Sequence, residues 1–324
     1  MKRLLPRRIR TVVLCAPLLL SSSCVLAFDL QGHRGARGLM PENTLAAFEA
    51  GASAGVSTLE LDIAVTADGI PVISHDPRLN PAFTRDEKGA WIQGQGPAIH
   101  ALRLDELRRY DVGRLDPGSR YAAGLPRQMP RDGQRIPTLR ELLRLLGTPA
   151  FAARPLQLNI ETKSDPFHPE LQPPPEEFVT RIVAVLREAG FERRATLQSF
   201  DWRTLAAARR LAPEIPRACL STPKTLQDPA WTDGRRQADF ASAPAMAADA
   251  GCAIWSPAFA GLDAAQVNEA HRLGLAVLPW TVNRPEDMKR LIDLGVDGLI
   301  SDEPDLALPL LREKGLAVAP LPRP

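Results

Sequence analysis

The chain has 324 residues, of which 44% are hydrophobic and 24% charged, and its formal net charge at pH 7 is +2. These proportions are typical of a soluble globular protein with one large α/β domain or two small ones. Residues 1–27 hold five Lys and Arg and no acid, so the remainder carries 35 cations against 38 acids, a formal charge of −3. This balance gives no reason to expect a nucleic-acid partner.

Residues 1–27 are predicted to be a cleaved export signal. A cationic start is followed by an uncharged stretch from Thr11 to Ala27, which ends in small residues just before Phe28. This stretch of 17 residues contains three serines and is short of the ~20 apolar residues that a membrane span needs. We therefore expect no stable membrane span after cleavage and a periplasmic or secreted protein. Lipid attachment at Cys24 is an alternative that the position of Leu20 disfavours.

Cleavage would leave two cysteines, Cys219 and Cys252. In an oxidising compartment they could form a disulfide. The other interpretation, which the sequence favours, is two small buried residues on neighbouring strands.

After the leader, apolar runs bounded by polar ends alternate with amphipathic segments, a pattern typical of βα units around a parallel sheet. The predicted strands cover 28–33, 58–65, 156–161, 195–199, 217–221, 252–256, 275–281 and 298–301. The predicted helices cover 44–54, 139–146, 175–189, 202–211, 264–273 and 285–294. Eight such units in roughly 300 residues predict a TIM (β/α)8 barrel. A doubly wound sheet is the alternative, but Gly32-His33-Arg34-Gly35 is not its glycine-rich nucleotide turn.

One further apolar run, at 70–74, does not fit a barrel strand. It follows the second strand after only Thr66-Ala67-Asp68-Gly69, which is too short for a parallel crossover and typical of a hairpin. Folding about residues 67–68 would place His75 opposite Glu60. The segment 77–136 lacks βα units, and we interpret it as a small insertion packed over the barrel mouth.

Three carboxylates are predicted to meet at that mouth. Glu60 and Asp62 are two apart on a strand, so their side chains project from one face about 7 Å apart. Glu161 and Lys163 repeat this spacing at the end of a later strand. Carboxylate oxygens suit one hard divalent cation, Ca²⁺ or Mg²⁺, and without a cation they would raise one another's pKa values.

The same strand ends carry groups that suit phosphodiester cleavage. His33 and His75 are the predicted proton-transfer pair, because imidazole titrates near neutrality. Arg34 and Lys163 supply positive charge for a phosphate, to which a divalent cation would add Lewis-acid polarisation.

The polar motifs follow one another in a definite order. They are Gly32-His33-Arg34-Gly35, Pro41-Glu42-Asn43-Thr44, Glu60-Leu61-Asp62, His75-Asp76, Glu161-Thr162-Lys163, Gln198-Ser199-Phe200, Trp280-Thr281-Val282-Asn283 and Gly295–Pro304. Through them the chain resembles the glycerophosphodiester phosphodiesterase family from His33 to Pro304. The resemblance implies metal-dependent hydrolysis of small-molecule glycerophosphodiesters to glycerol 3-phosphate and an alcohol, with a glycerol hydroxyl of the substrate as the first nucleophile.

The resemblance also implies roles for individual residues. His33 and His75 would be the general acid and base, Glu60, Asp62 and Glu161 the metal ligands, Arg34 and Lys163 the phosphate contacts, and Trp280 the glycerol contact. Two further residues are expected to bind substrate on their position alone: Phe200 as part of an apolar wall and Gln198 as polar support. Asn43 is expected to cap the following helix, and Glu42 to join the outer shell of the metal.

Two other functions would fit part of this pattern. A lysophospholipid phosphodiesterase of phospholipase-D type would share the barrel, two histidines and a similar acidic set. The Trp280–Asn283 and Gly295–Pro304 motifs favour a glycerophosphodiester phosphodiesterase instead. A non-catalytic binding protein would need cations but no proton shuttle, so the presence of both His33 and His75 argues against it.

Overall fold

The structure is a computed structural model that describes residues 27–152 and 154–322. The predicted export signal, Cys24 included, lies outside these ranges except for Ala27, so its cleavage stays a prediction. Among the helices in the two ranges, none is long and apolar enough to cross a membrane.

Strands and helices alternate through the described residues. The strands are β1 (Ala27–Gly32), β2 (Thr58–Val65), β3 (Pro71–Ile73), β4 (Gln157–Thr162), β5 (Ala195–Ser199), β6 (Arg217–Ser221), β7 (Ile254–Pro257), β8 (Ala276–Val277), β9 (Gly298–Ser301) and β10 (Ala317–Val318). The helices are α1 (Leu45–Ser53), α2 (Leu104–Leu107), α3 (Arg120–Ala123), α4 (Leu139–Leu146), α5 (Pro149–Ala152), α6 (Pro175–Glu188), α7 (Trp202–Leu211), α8 (Pro223–Gln227), α9 (Ala243–Asp249), α10 (Ala264–Arg272), α11 (Pro285–Asp293) and α12 (Ala307–Glu313).

Eight of these strands form a nearly closed parallel barrel in the order β9-β1-β2-β4-β5-β6-β7-β8. Main-chain hydrogen bonds bridge the remaining gap between β8 and β9. The Asp297 amide donates to the Val277 carbonyl at 3.0 Å, and the Ile300 amide donates to the Pro279 carbonyl at 3.1 Å. The predicted TIM barrel is therefore confirmed, and the doubly wound alternative is wrong.

Apolar side chains fill the layer between the barrel and its helices. On α6 the buried residues recur every three or four positions, as a helix packed on one face requires; they are Phe178, Val179, Ile182, Val183 and Leu186. They join Phe28, Phe48 and Trp202 in one continuous core. This layer holds the strands at fixed positions, so that residues at their carboxyl ends are placed by the fold itself.

The hairpin predicted after β2 is present, but its register differs by one residue. β3 pairs with β2 antiparallel, with Ile73 opposite Ile63 and Val72 opposite Ala64, so the chain folds about Asp68. Extension of this register sets His75 opposite Leu61, and its predicted position opposite Glu60 is wrong. The segment 77–136 packs on the hairpin through a small apolar core of its own, which consists of Ala64, Val72, Leu79, Ile99, Leu107, Val112 and Ile136.

A disulfide links β6 to the segment that enters β7. Cys219 and Cys252 are bonded, with their Cα atoms 5.9 Å apart, and both residues are buried. The favoured expectation of two separate buried cysteines is therefore wrong, and the disulfide alternative is the one that the structure forms.

Candidate active site

Glu60, Asp62 and Glu161 converge at the carboxyl end of the barrel, as predicted. The pairing of β2 with β4 sets Asp62 beside Glu161, and Glu60 lies two residues earlier on the same face. All three are buried, and one oxygen of each lies within 4.8 Å of the others. Asp62 Oδ1 is buried without a hydrogen-bond partner. An orphaned carboxylate oxygen in an all-oxygen cluster fits the preferences of a hard divalent cation.

The pKa values of the three acids are shifted by burial, by one another and by the nearby cations. Burial and the nearby charges of Asp62 and Glu161 raise the pKa of Glu60 well above its usual range. Burial also raises the pKa of Glu161, although Lys163 opposes the shift. For Asp62, burial is outweighed by His75, Lys163 and Arg34, which hold its pKa well below the ordinary value.

His33 follows β1 and is held from behind by a carboxylate. Its Nδ1 lies 2.6 Å from Asp302 Oδ1, and its Nε2 lies 3.9 Å from Glu60 Oε2. Asp302 is itself fixed, because Arg37 Nε and Asn283 Nδ2 donate to it at 2.6 and 2.7 Å. Burial is the largest influence on His33 and lowers its pKa to about 4, although Asp302 opposes the shift.

His75 lies just beyond the hairpin and has a similar partner. Its Nδ1 is 2.8 Å from Asp76 Oδ1, and Asn80 Nδ2 donates to the other oxygen of Asp76 at 2.6 Å. The His75 side chain is 31% exposed, against 13% for His33. The two imidazoles thus line one cavity, but His75 is the more open to solvent.

Both predicted phosphate contacts lie at the acidic triad. The Arg34 amide donates to Glu60 Oε2 at 2.7 Å, and its guanidinium Nη1 donates to Glu42 Oε1 at 2.6 Å. Lys163 Nζ donates to Glu161 Oε1 at 2.7 Å and lies 3.8 Å from Asp62 Oδ1. Both cations therefore face a cavity whose negative charge they partly balance.

This cavity has a volume of about 230 Å³. It is lined by His33, Arg34, Arg37, Glu60, His75, Glu161, Lys163, Gln198, Phe200, Leu220, Trp280, Thr281 and Ile300. Cations, carboxylates and imidazoles share this cavity with an aromatic wall, in which the rings of Phe200 and Trp280 meet edge to face at 5.3 Å. The arrangement can hold a phosphate next to a small apolar group and move protons on either side of it.

The sequence profile of the Glycerophosphoryl diester phosphodiesterase family matches residues 33–306. The chain belongs to this family. A glycerophosphodiester phosphodiesterase from Caldanaerobacter subterraneus subsp. tengcongensis is 29% identical over 87% of this chain and 97% of its own length. A Silicibacter pomeroyi crystal structure that carries the family name is 38% identical, with a TM-score of 0.82, over 91% of this chain and 96% of that one.

A third relative was solved with a ligand. It is an Oleispira antarctica phosphodiesterase in complex with the product sn-glycerol-3-phosphate, 26% identical with a TM-score of 0.65, over 88% of this chain and 96% of that one. Together with the family match, these relatives make the chain an enzyme of the phosphodiesterase family.

Two secondary expectations about this family member need correction. Asn43 does not cap α1; Thr44 does so by accepting a hydrogen bond from the Ala47 amide, and Asn43 Nδ2 instead donates to Asp62 Oδ2 at 2.9 Å. The Glu42 carboxylate contacts Arg34 and the Tyr121 hydroxyl rather than the acidic triad.

Gln198 is buried and its amide is engaged on both sides. Its Nε2 donates to Glu60 Oε1 at 2.8 Å, and its Oε1 accepts from Asn159 Nδ2 at 2.9 Å. These bonds position Glu60 within the site, while the expected contact of Gln198 with substrate stays a prediction.

Four residues at the phosphodiesterase site were not among the candidates: Asp302, Asp76, Arg37 and Tyr121. Asp302 and Asp76 stand within the motifs Gly295–Pro304 and His75-Asp76, so a sequence signal for them existed. Tyr121 comes from the insertion, where it accepts hydrogen bonds from Arg34 Nη1 and Arg37 Nη1 at 3.2 and 3.0 Å. No local pattern around Tyr121 connects it with the strand ends.

Proposed function

We propose that the chain hydrolyses glycerophosphodiesters to glycerol 3-phosphate and an alcohol, with the help of one divalent cation. The observation that carries this proposal is one cavity in which two imidazoles, each held at Nδ1 by a carboxylate, lie beside a buried acidic triad. The Oleispira antarctica relative, crystallised with sn-glycerol-3-phosphate, supports the choice of product.

Glu60, Asp62 and Glu161 would hold the cation. Bound there, Ca²⁺ or Mg²⁺ would polarise the phosphodiester and offset its negative charge. Lys163 and Arg34 add fixed positive charge at the same place, and the aromatic wall of Phe200 and Trp280 gives the glycerol an apolar surface. A diester so held would be oriented before any bond changes.

His33 is the proposed first base. The low pKa of His33 keeps the imidazole neutral near pH 7, and its Nδ1–H donates to Asp302, so the lone pair is on Nε2. Nε2 would take the proton from a glycerol hydroxyl of the substrate while that oxygen attacks phosphorus. His33 and Trp280 line the same cavity, which is consistent with a glycerol bound beside this nitrogen.

His75 is the proposed acid for the leaving alcohol. As the new phosphorus–oxygen bond closes a cyclic phosphate, the bond to the alcohol breaks and its oxygen takes a proton from His75. In the second half of the reaction, water attacks the cyclic phosphate and the roles of the histidines reverse. His75 accepts a proton from this water, and His33 returns its proton to the glycerol oxygen as the ring opens. Both imidazoles end in their starting state, and no protein nucleophile is required.

A substrate comparison with purified protein tests this function. Glycerophosphocholine should be cleaved, its analogue that lacks the hydroxyl next to the phosphoester carbon should bind but react far more slowly, and excess chelator should abolish turnover until Ca²⁺ or Mg²⁺ is restored. Equal kcat for the two diesters would exclude the substrate-assisted route, and full activity in chelator would exclude the metal. Faster cleavage of lysophosphatidylcholine would favour the phospholipase-D-like alternative.

We also propose that the protein is exported to the periplasm or secreted. The pattern of residues 1–27 supports a cleaved signal, and a buried disulfide suits an oxidising compartment. N-terminal sequencing of protein recovered from each cell fraction tests this. A mature chain that starts near Phe28 outside the cytoplasm is expected, and an intact leader on a cytoplasmic protein would contradict it.

A further inference from the structure

A second cavity of about 210 Å³ opens beside the active-site cavity. The two share His75, Glu161, Lys163 and Phe200 as a common wall. The second cavity is lined in addition by Asp76, Pro77, Ser164, Asp165, Leu171, Gln172 and Trp231. Because His75 lies on the shared wall, an alcohol that takes its proton from this imidazole would leave from the border of the two cavities.

We propose that this second cavity is the subsite for the leaving alcohol and that it selects alcohols with a cationic ammonium group, such as choline or ethanolamine. The proposal rests on the proposed function, because the leaving alcohol is the part of the diester that the active-site cavity does not hold.

The charges of the second cavity favour a cation. Of the residues that belong to it alone, the ionisable ones are two acids, Asp76 and Asp165. The cation on the shared wall, Lys163, is already paired with Glu161 at 2.7 Å. Asp76 is already bonded to His75 and Asn80, so Asp165 is the carboxylate that remains for a ligand. Asp165 would attract an ammonium group and repel an anionic alcohol.

The apolar surfaces of the cavity suit methyl groups on that cation. Trp231 and Phe200 present aromatic rings to it, and Leu171 and Pro77 add aliphatic surface. Aromatic rings attract quaternary ammonium groups through their electron-rich faces, and tryptophan does so best. The same cavity would hold a polyol such as glycerol less well, because its aromatic and aliphatic surfaces offer a polyol no hydrogen bonds.

The rim of the cavity carries an exposed aromatic residue. The side chain of Phe167 is 56% exposed, and its ring meets that of Trp231 at 6.1 Å with an interplanar angle of 60°. Trp231 is held by its main chain, whose carbonyl accepts from the Trp202 amide at 2.7 Å. The contact between Phe167 and Trp231 extends the aromatic surface beyond the wall of the cavity.

The test compares glycerophosphocholine with the diester of 3,3-dimethylbutanol, in which carbon replaces the choline nitrogen and removes only the charge. The wild-type kcat/KM should favour the choline diester on the order of tenfold, the range of a desolvated cation–π contact. Trp231→Leu and Asp165→Asn should each bring this ratio close to one, and Trp231→Phe should keep part of it. Trp91→Leu, whose ring lies beneath Arg85 in the insertion, is the matched control and should keep the ratio.

The binding of free choline, monitored by tryptophan fluorescence, tests the subsite in the absence of turnover. Wild type and Trp91→Leu should bind choline, and Asp165→Asn should bind it more weakly. The outcome of this experiment therefore does not depend on how well Trp231→Leu folds. Equal kcat/KM for both diesters in the wild type, or no choline binding, would overturn the subsite. Choline binding by a protein that cleaves neither diester would overturn the proposed function and leave the subsite standing.

Discussion

At the scale of single residues, the site depends on two histidines that are each held at Nδ1 by a carboxylate but differ in their exposure to solvent. Asp302 holds His33 and is itself held by Arg37 and Asn283, in surroundings that are almost closed to water. Asp76 holds His75 where both side chains are about one-third exposed. A buried, rigid imidazole suits a base that must stay neutral, and a more open one suits a group that exchanges protons with water.

Replacement of Asp302 by Asn should therefore impair His33 without removing it. The amide can no longer fix the Nδ1–H tautomer, so kcat for glycerophosphocholine should fall by at least the ~10²-fold typical of lost general base catalysis. Because Asp302 raises the pKa of His33 against burial, the acid limb of the pH–rate profile should also move to lower pH.

Asp305→Asn is the matched control, since Asp305 pairs with the exposed Arg127 near the same strand end. It should leave both the rate and the pH profile unchanged. A normal kcat in Asp302→Asn would remove the carboxylate from the mechanism.

The acidic triad gives a second prediction at this scale. Glu161→Gln removes one of three convergent negative charges and leaves Lys163 beside a neutral amide. The affinity for Ca²⁺ or Mg²⁺ should therefore fall at least tenfold, the lower range for residues that merely support a ligand. Titration calorimetry of the metal-free protein measures it. Glu170→Gln, at an exposed position, should bind the cation as the wild type does; equal affinity in both variants would exclude Glu161 as a ligand.

At the scale of elements, the sequence predicted what local periodicity determines. Six amphipathic helices were predicted to within about one residue at either end, because apolar spacing and terminal signals agree there. The helices α2, α3, α5, α8, α9 and α12, each of four to seven residues, were not predicted. The Ala-rich sequence of α9, for example, has little contrast between its faces. The predicted strand 275–281 is assigned only as Ala276–Val277, because Pro279 has no amide hydrogen for a regular ladder.

The site was predictable where the function of a residue follows from its own strand end. The carboxylates, both histidines and both cations came from such positions. The three carboxylates converge, and all of these residues except Asp62 line one cavity. The partner of His33 could not be predicted in this way, because Asp302 lies 269 residues further along the chain. The hairpin register was wrong by one residue because the Asp-Gly dipeptide signals a turn without fixing its centre.

The insertion gives a prediction of its own. The Tyr121 hydroxyl joins Glu42, Arg34 and Arg37 into one partly buried network, so it fastens segment 77–136 to the loop after β1. Tyr121→Phe leaves these groups one partner short and should lower the free energy of unfolding by about 1–3 kcal/mol. Equilibrium unfolding in urea measures this change in the free energy of unfolding.

Tyr110→Phe serves as the control, because the Tyr110 ring packs in the small core of the insertion rather than in this network. An unchanged urea midpoint in Tyr121→Phe would show that the hydroxyl does not stabilise the fold.

At the scale of the whole molecule, a polar chain runs through the barrel in place of the usual branched side chains. Gln31 Nε2 donates to Asp29 at 2.7 Å, Asn159 Nδ2 donates to both Gln31 and Gln198 at 2.9 Å, and Gln198 donates to Glu60. These residues are buried, so each bond is made in surroundings where an unmade one would be costly. The position of Glu60 is thereby tied to the opposite end of the barrel.

The disulfide acts at the same scale, because it crosslinks two neighbouring βα units of the barrel. Cys219 and Cys252 are separated by 33 residues, a loop for which the chain-entropy estimate of stabilisation is about 3–4 kcal/mol. The double variant Cys219→Ala/Cys252→Ala should therefore unfold at lower urea concentration than the oxidised wild type. Addition of reductant should lower the wild-type midpoint toward that of the variant and leave the variant unchanged. Identical midpoints for wild type with and without reductant, once free thiols confirm reduction, would show that the crosslink contributes nothing to stability.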